Sequence, residues 1–131
     1  MRIAIVINEN LGPGHLANAA ACIASGLLNN EKNLLGEQIE GVDITYIPIT
    51  KIPCLILKQN SKSWSEILRR AKKNNLKYMV FTDEAQSTVY YHDYIERVKN
   101  KPIDEVNVIG IGVLGEDGLV TKFCGDMPLL R

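Results

Sequence analysis

Two charged residues stand where apolar runs end. Lys58 closes Cys54-Leu55-Ile56-Leu57, and Asp83 follows Tyr78-Met79-Val80-Phe81-Thr82. Both runs read as short buried strands, and strand ends in open α/β sheets line ligand crevices. A carboxylate there can orient or deprotonate a water, and an ammonium can hold an anion or steady an oxyanion. Asp83 and Lys58 are therefore the candidate catalytic residues, against the competing reading of a surface ion pair of little weight. A third feature is the loop Asn8-Glu9-Asn10-Leu11-Gly12-Pro13-Gly14, which follows the apolar run Ile3 to Ile7 and leads to His15. Gly12 and Gly14 allow close backbone approach, and the free N–H groups of a helix start suit an anion. Asn8, Asn10, Gly12, Gly14 and His15 are candidate substrate- or anion-binding residues; the alternative is a plain strand-to-helix turn. The loop is neither a G-x-G-x-x-G nor a Walker A fingerprint. Ser87 and Thr88 offer hydroxyls to a substrate, although helix N-caps use the same residues.

Other reactive side chains lack the context that their chemistry needs. Cys22, Cys54 and Cys124 are far apart and form no C-x-x-C pair, so neither a zinc cage nor a disulfide framework is expected. Cys22 falls in an Ala-rich helical stretch, which gives no reason for a low thiol pKa. His15 and His92 have no metal-ligand spacing. No metal and no cofactor are expected. Tyr91 and Tyr94 fall on a helical apolar stripe, so they read as core rather than as a base-stacking surface. Arg69, Arg70, Lys72 and Lys73 read as the C-terminal end of a helix, where the dipole favours cations.

The elements that must position these groups are partly legible. Arg2-Ile-Ala-Ile-Val-Ile7 is β-branched and almost wholly apolar, as in a strand buried on both faces. Leu16, Ala20, Ile23 and Leu27 then make a helical stripe over 15–28. Val42 to Ile47 alternates and reads as a short strand. Ser63-Trp64-Ser65-Glu66 fits a capping box ahead of the stripe Trp64, Ile67, Leu68 and Ala71. Tyr91, Tyr94, Ile95 and Val98 predict a helix over about 89–99. Val106 to Leu114 is the last strand, Gly115-Glu116-Asp117-Gly118 reads as a turn, and Leu119 to Arg131 as a tail. Strands alternating with helices give an α/β fold, a single mixed or mostly parallel sheet flanked by helices. Strands 2–7, 54–58, 78–82 and 106–114 should share that sheet.

Composition narrows the function classes. With 46% hydrophobic and 23% charged residues in 131, the chain is an ordinary globular one, expected to form one domain over 1–131. Fifteen basic and fifteen acidic residues cancel, so a strongly basic nucleic-acid binder is not expected. The apolar run at residues 3–7 is too short for a secretory signal, and no stretch approaches a membrane span. A cytoplasmic protein without membrane partners is the expectation.

Both ends of the chain also carry a resemblance. Ile3-Ala-Ile-Val-Ile-Asn-Glu-Asn-Leu-Gly-Pro-Gly-His-Leu-Ala-Asn-Ala-Ala20, and Ile109-Gly-Ile-Gly-Val-Leu-Gly115 with Val120-Thr-Lys-Phe-Cys-Gly-Asp-Met-Pro-Leu-Leu-Arg131, resemble the domain-of-unknown-function family 2000. That family is similar to the peptidyl-tRNA hydrolase type 2 superfamily. In those hydrolases a Lys ends the second strand, matched by Lys58, and Asp-Ala-Gly-x-Thr-Gln follows the third, where this chain reads Asp83-Glu84-Ala85-Gln86-Ser87-Thr88. The hydrolase Thr corresponds to Ser87 or to Thr88. Pro13, Gly14 and His15 stand where the hydrolases have Lys-Gly-Lys, and Ala19 and Cys22 where they carry Gln and His. A segment with Tyr91 to Val98 is inserted. The resemblance implies a hydrolase of an ester or amide in an acylated nucleotide or similar anionic substrate, and a homodimer. With the lysines gone, peptidyl-tRNA cleavage itself should be weak or absent. The other reading is a non-catalytic small-ligand-binding or protein-interaction module on the same fold. The first reading requires Asn8, Asn10, His15, Lys58 and Asp83 to line one cleft.

Overall fold

The computed structural model describes residues 1–131. Four strands form the main sheet: β1 (Arg2–Ile7), β4 (Cys54–Lys58), β5 (Lys77–Thr82) and β6 (Val108–Gly115), in the order β4-β1-β6-β5. β1 runs parallel to β4, from Ile3↔Cys54 to Ile7↔Lys58. It runs antiparallel to β6, from Arg2↔Gly115 to Ile7↔Gly110. β6 is antiparallel to β5, with a register slip between Phe81 and Thr82. The sheet is thus mixed, and β1, β4 and β5 all point the same way. Their carboxyl ends, and the start of β6, share one edge.

Each face of the sheet holds its own apolar cluster. The alternation of β1 decides which residue goes where. Ile3, Ile5 and Ile7 face helix α1 (Pro13–Leu27) and meet Ala19, Ile23 and Leu27. Ala4 and Val6 face the opposite layer, where α2 (Trp64–Lys73) supplies Ile67 and Ala71, and α5 (Asp117–Cys124) supplies Val120 and Phe123. Burial on both faces is why β1 reads as a continuous apolar run. Each fully buried Ile contributes roughly 1.5–3 kcal/mol of apolar transfer. α1 starts with Pro13 in its first turn, where the missing N–H has no partner to lose. α2 has half of the expected capping box: Ser63 Oγ accepts from Glu66 N at 3.2 Å, while the Glu66 carboxylate turns to Arg69 and Arg70 instead of reaching back.

Three expectations fail, each for a packing reason. Residues 115–118 are not a simple turn. β6 runs through Gly115 and α5 begins at Asp117, because Val120, Phe123 and Cys124 bury one face and outweigh the glycine in the first turn. Residues 83–87, to which the sequence assigns no element, form a short helix, α3 (Asp83–Ser87), started by Thr82 Oγ1 accepting from Ala85 N. The helix predicted at 89–99 exists as α4 (Tyr91–Val98), yet none of its residues is buried and Tyr91 is 74% exposed. It lies beyond the edge strand β5, against α3, so its apolar stripe is not core. Only Thr45–Tyr46 (β3) of the alternating 42–47 segment forms a strand, paired with Ile39–Glu40 (β2) in a separate ladder. This arm leaves Ile39, Val42, Ile44, Tyr46, Ile47 and Ile49 exposed.

The chain end covers the outer edge of β4. Lys58 N donates to Pro128 O and Leu130 N to Ile56 O, both at 2.9 Å. This blunts an edge that would otherwise be open to pairing.

α1 lies unusually close to β6. A Cβ at Gly112 would collide with Ile23 and sit 2.9 Å from Leu27 Cδ1. One at Gly118, within α5, would meet nothing within 4 Å. Gly112→Ala is therefore expected to destabilise by about 1–3 kcal/mol. Gly118→Ala is expected to leave stability unchanged or raise it by up to about 1 kcal/mol. Urea unfolding midpoints of the two variants check the contrast.

Candidate functional site

A cleft of about 620 Å³ opens at the shared sheet edge. Its walls come from five places: Asn8 and Leu11 after β1, His15 in the first turn of α1, Trp64 opening α2, Asp83 and Gln86 on α3, and Val106 to Ile109 leading into β6. Asn8 is anchored by its N–H donating to Ile109 O at 2.9 Å, and its Oδ1 accepts from Asn10 N at 3.1 Å. Asp83 N donates to Asn107 O at 2.8 Å, which ties α3 to the start of β6. Leu11, Trp64, Val106, Val108 and Ile109 make the apolar part of the wall, and the amides and Asp83 make the polar part.

The loop and α3 are joined across the mouth. His15 Nδ1 lies 2.8 Å from Gln86 Oε1, and Gln86 Nε2 donates to His15 O at 3.3 Å and to Asn18 Oδ1 at 3.0 Å. Below them, the Glu84 carboxylate accepts from Asn107 N at 3.0 Å and from Asn107 Nδ2 at 3.1 Å. Burial acts to raise the Glu84 carboxyl, but the hydrogen bonds from Asn107, its own backbone and Thr82 outweigh it. The group is held below the usual carboxylate range.

The candidate residues separate into two groups. Asn8, His15 and Asp83 line the cleft together. Lys58 is half-buried and is not among the lining residues; two strands separate β4 from β5, about 14 Å at ordinary strand spacing. Asn10 is exposed at the loop tip. Gly12 is the N-cap residue of α1 and Gly14 lies within it, and neither has a positive φ. Ser87 and Thr88 are not N-caps. Their hydroxyls turn back to donate to the carbonyls of Asp83 and Glu84 and close α3, and Thr88 borders a different, mostly apolar cavity beside Tyr91 and Tyr94. Thr82 is the cap in front of α3, so Asp83 is not needed for that role.

Gln86, Asn107 and Trp64 were not singled out from sequence. Gln86 lies three residues after Asp83, a spacing that shares a helix face once residues 83–87 are known to be helical. Asn107 precedes β6, and it reaches this edge only because β6 runs opposite to its neighbours. Trp64 reads as core because it begins an apolar stripe, and it does pack on the α2 side of the sheet while lining the cleft.

The cysteines are unpaired, and no group of three or more His, Cys, Asp or Glu side chains is placed to hold a metal. No helix is long and apolar enough to cross a membrane.

The chain matches, over residues 1–131, the family described as protein of unknown function (DUF2000). It belongs to that family. It is also similar to the solved structure of a protein of unknown function, Atu0240, from Agrobacterium tumefaciens strain C58. The TM-score is 0.87 at 18% identity, covering 98% of this chain and 96% of that one. At that identity the likeness speaks for the fold alone. No curated protein matches the chain.

Glu84 gives the contact between α3 and Asn107 a pH signature. Its carboxyl is depressed in the folded state, so its stabilisation is present above the unfolded value near 4.5 and is lost as pH falls through the folded value. Glu84→Gln should lower the urea midpoint at pH 7. The gap to the unsubstituted chain should close as pH falls below about 4, near the ordinary Glu range.

Proposed function

We propose that the protein hydrolyses an ester or amide in an acylated nucleotide or a similar anionic substrate, bound in the cleft at the carboxyl ends of β1 and β5. The observation that carries this reading is the meeting of Asn8, His15, Asp83 and Asn107 around one volume of about 620 Å³. Amide groups there can orient a carbonyl. A carboxylate and an imidazole can handle the proton of an attacking water. The apolar wall of Leu11, Trp64 and Val106 suits a flat or aliphatic portion of the substrate. No Lys or Arg lines the cleft, so the anionic portion of the substrate would extend along the sheet edge toward Lys58. The resemblance to the peptidyl-tRNA hydrolase type 2 superfamily supports the same chemistry. The equal numbers of basic and acidic residues argue against peptidyl-tRNA itself as the substrate. A cytoplasmic setting belongs to this reading, in keeping with three unpaired thiols.

A second reading is favoured by the arm at 36–50. Ile39, Tyr46, Ile47 and Ile49 line one shallow cavity on it, all exposed, while Gln38, Glu40 and Thr45 bond to one another away from that face. Exposed apolar patches of this kind mark interaction surfaces. On this reading the protein is an interaction module, and the homodimer implied by the resemblance would use the arm.

Thermal shift with acyl-adenylates, free nucleotides and short RNAs separates the readings. A ligand at 100 times its Kd adds about 2.7 kcal/mol of stability. Acyl-adenylates should raise Tm, less so in Asn107→Ala and Asp83→Asn, with acid released over time; short RNAs should give no shift. If no nucleotide or acyl-adenylate shifts Tm, the hydrolase reading gives way to the interaction module. In that case sedimentation at micromolar concentration should show a dimer that Ile49→Asp dissociates.

A further inference from the structure

We propose that His15, not Asp83, is the proton acceptor of the cleft, and that Gln86 is the positioning residue that keeps His15 Nε2 free for that work. This rests on the hydrolase reading above and assigns the roles within it. The backbone oxygen of His15 can only accept a hydrogen bond, so the Gln86 atom 3.3 Å from it is the amide nitrogen. The same nitrogen lies 3.0 Å from Asn18 Oδ1. The other terminal atom of Gln86 is then its oxygen, 2.8 Å from His15 Nδ1. An amide oxygen has no hydrogen to give, so Nδ1 carries the proton. A neutral imidazole in that tautomer has its lone pair on Nε2, which bonds to no protein atom.

The support is rigid on both sides. His15 and Asn18 are three residues apart on one face of α1, and α1 is pressed onto β6 at Gly110 and Gly112. Gln86 sits on α3, which is held by Asp83 N to Asn107 O and by Glu84 to Asn107. Asp83 is the one other titratable group lining the cleft, one helical turn before Gln86. Asp83 has no comparable support, since the bonds it makes run through its backbone N–H and carbonyl.

The reaction balances with water alone. Nε2 takes a proton from water as the water oxygen bonds to the carbonyl carbon. The bond from that carbon to the leaving oxygen or nitrogen then breaks. The proton on Nε2 passes to the leaving atom, giving an acid and an alcohol or amine, or is released to water where the leaving group is the phosphate anion of an acyl-adenylate, and the imidazole returns to its starting tautomer.

Long-range proton–nitrogen NMR of the full chain labelled with nitrogen-15 reads the tautomer directly. The neutral Nδ1–H form is expected for His15. Gln86→Glu should keep it, because a carboxylate accepts the same proton, and Gln86→Leu should lose it to the Nε2–H form. An Nε2–H tautomer in the unsubstituted chain would overturn the positioning role. Hydrolysis of p-nitrophenyl acetate and of acyl-adenylates tests the base. His15→Gln should lower kcat at least tenfold, and Gln86→Leu should lower kcat with little change in KM. A rate that survives His15→Gln and is lost in Asp83→Asn would give the base role to Asp83. No turnover of either probe by the unsubstituted chain would refute the hydrolase reading and the base assignment with it, while the tautomer measurement would still decide the Gln86 contact.

Discussion

The close contact of α1 with β6 is the constraint on which the rest of the structure depends. Gly110 and Gly112 leave room for Ile23 and Leu27 to lie against the strand backbone, where any side chain would push the helix away. A helix that close must begin just beyond the end of β1, so the loop from Asn8 to Gly12 has little freedom. His15 then falls in the first turn, facing α3. A van der Waals contact in the core thus fixes a polar contact at the surface, because packed interiors transmit displacement rather than absorb it.

Strand direction does the remaining work. β1 and β5 deliver Asn8 and Asp83 to the same edge because they point the same way. β6 delivers Asn107 there because it points the opposite way. This explains what the sequence could and could not disclose. The apolar run of β1, the Ser63 cap of α2 and the stripe of α1 are local signals, and each appears where the residues indicate. The start of β6 as a site-forming segment is not local, since it follows from a pairing between residues 77–82 and 108–114. Gln86 is hidden for a similar reason: five residues with no buried side chain have no periodicity to betray a helix. The stripe of α4 misleads because periodicity marks an amphipathic helix, not what its apolar face meets. Beyond an edge strand that face is only partly covered: Tyr94 and Val98 are half-buried, and Tyr91 and Ile95 stay exposed.

Charge is distributed so that structure and cleft do not compete for it. Ion pairs tie the chain end to α2 and the loop before it: Arg70, itself paired with Glu66 one turn earlier at 3.2 Å, holds Asp126 at 2.8 Å, and Lys62 adds a contact to Asp126 at 3.3 Å. Hydrogen bonding from Arg70, then from Lys62, holds the Asp126 carboxyl at about 2, against some desolvation in the other direction. Its stabilisation is present above the unfolded value and fades only as pH falls through about 2. Both partners are partly exposed, so screening keeps the contribution modest. What these pairs secure is the path of residues 128–130 along β4, and with it the closed outer edge of the sheet.

The two ends of the chain, where the family resemblance is densest, therefore serve different purposes. The C-terminal motif, from Val120 to Arg131, buries Phe123, pairs Asp126 and seals β4, all structural tasks. The N-terminal motif builds β1, the loop and the first turn of α1, and so supplies two of the polar groups of the cleft. The middle of the chain, where the resemblance is looser, holds the apolar arm and α4, neither of which contributes a residue to the cleft. Divergence confined to such elements can change partners without disturbing the cleft. Substitution at Pro13 to His15 cannot, because there the same residues set the helix start, the charge of the cleft mouth and the contact to Gln86.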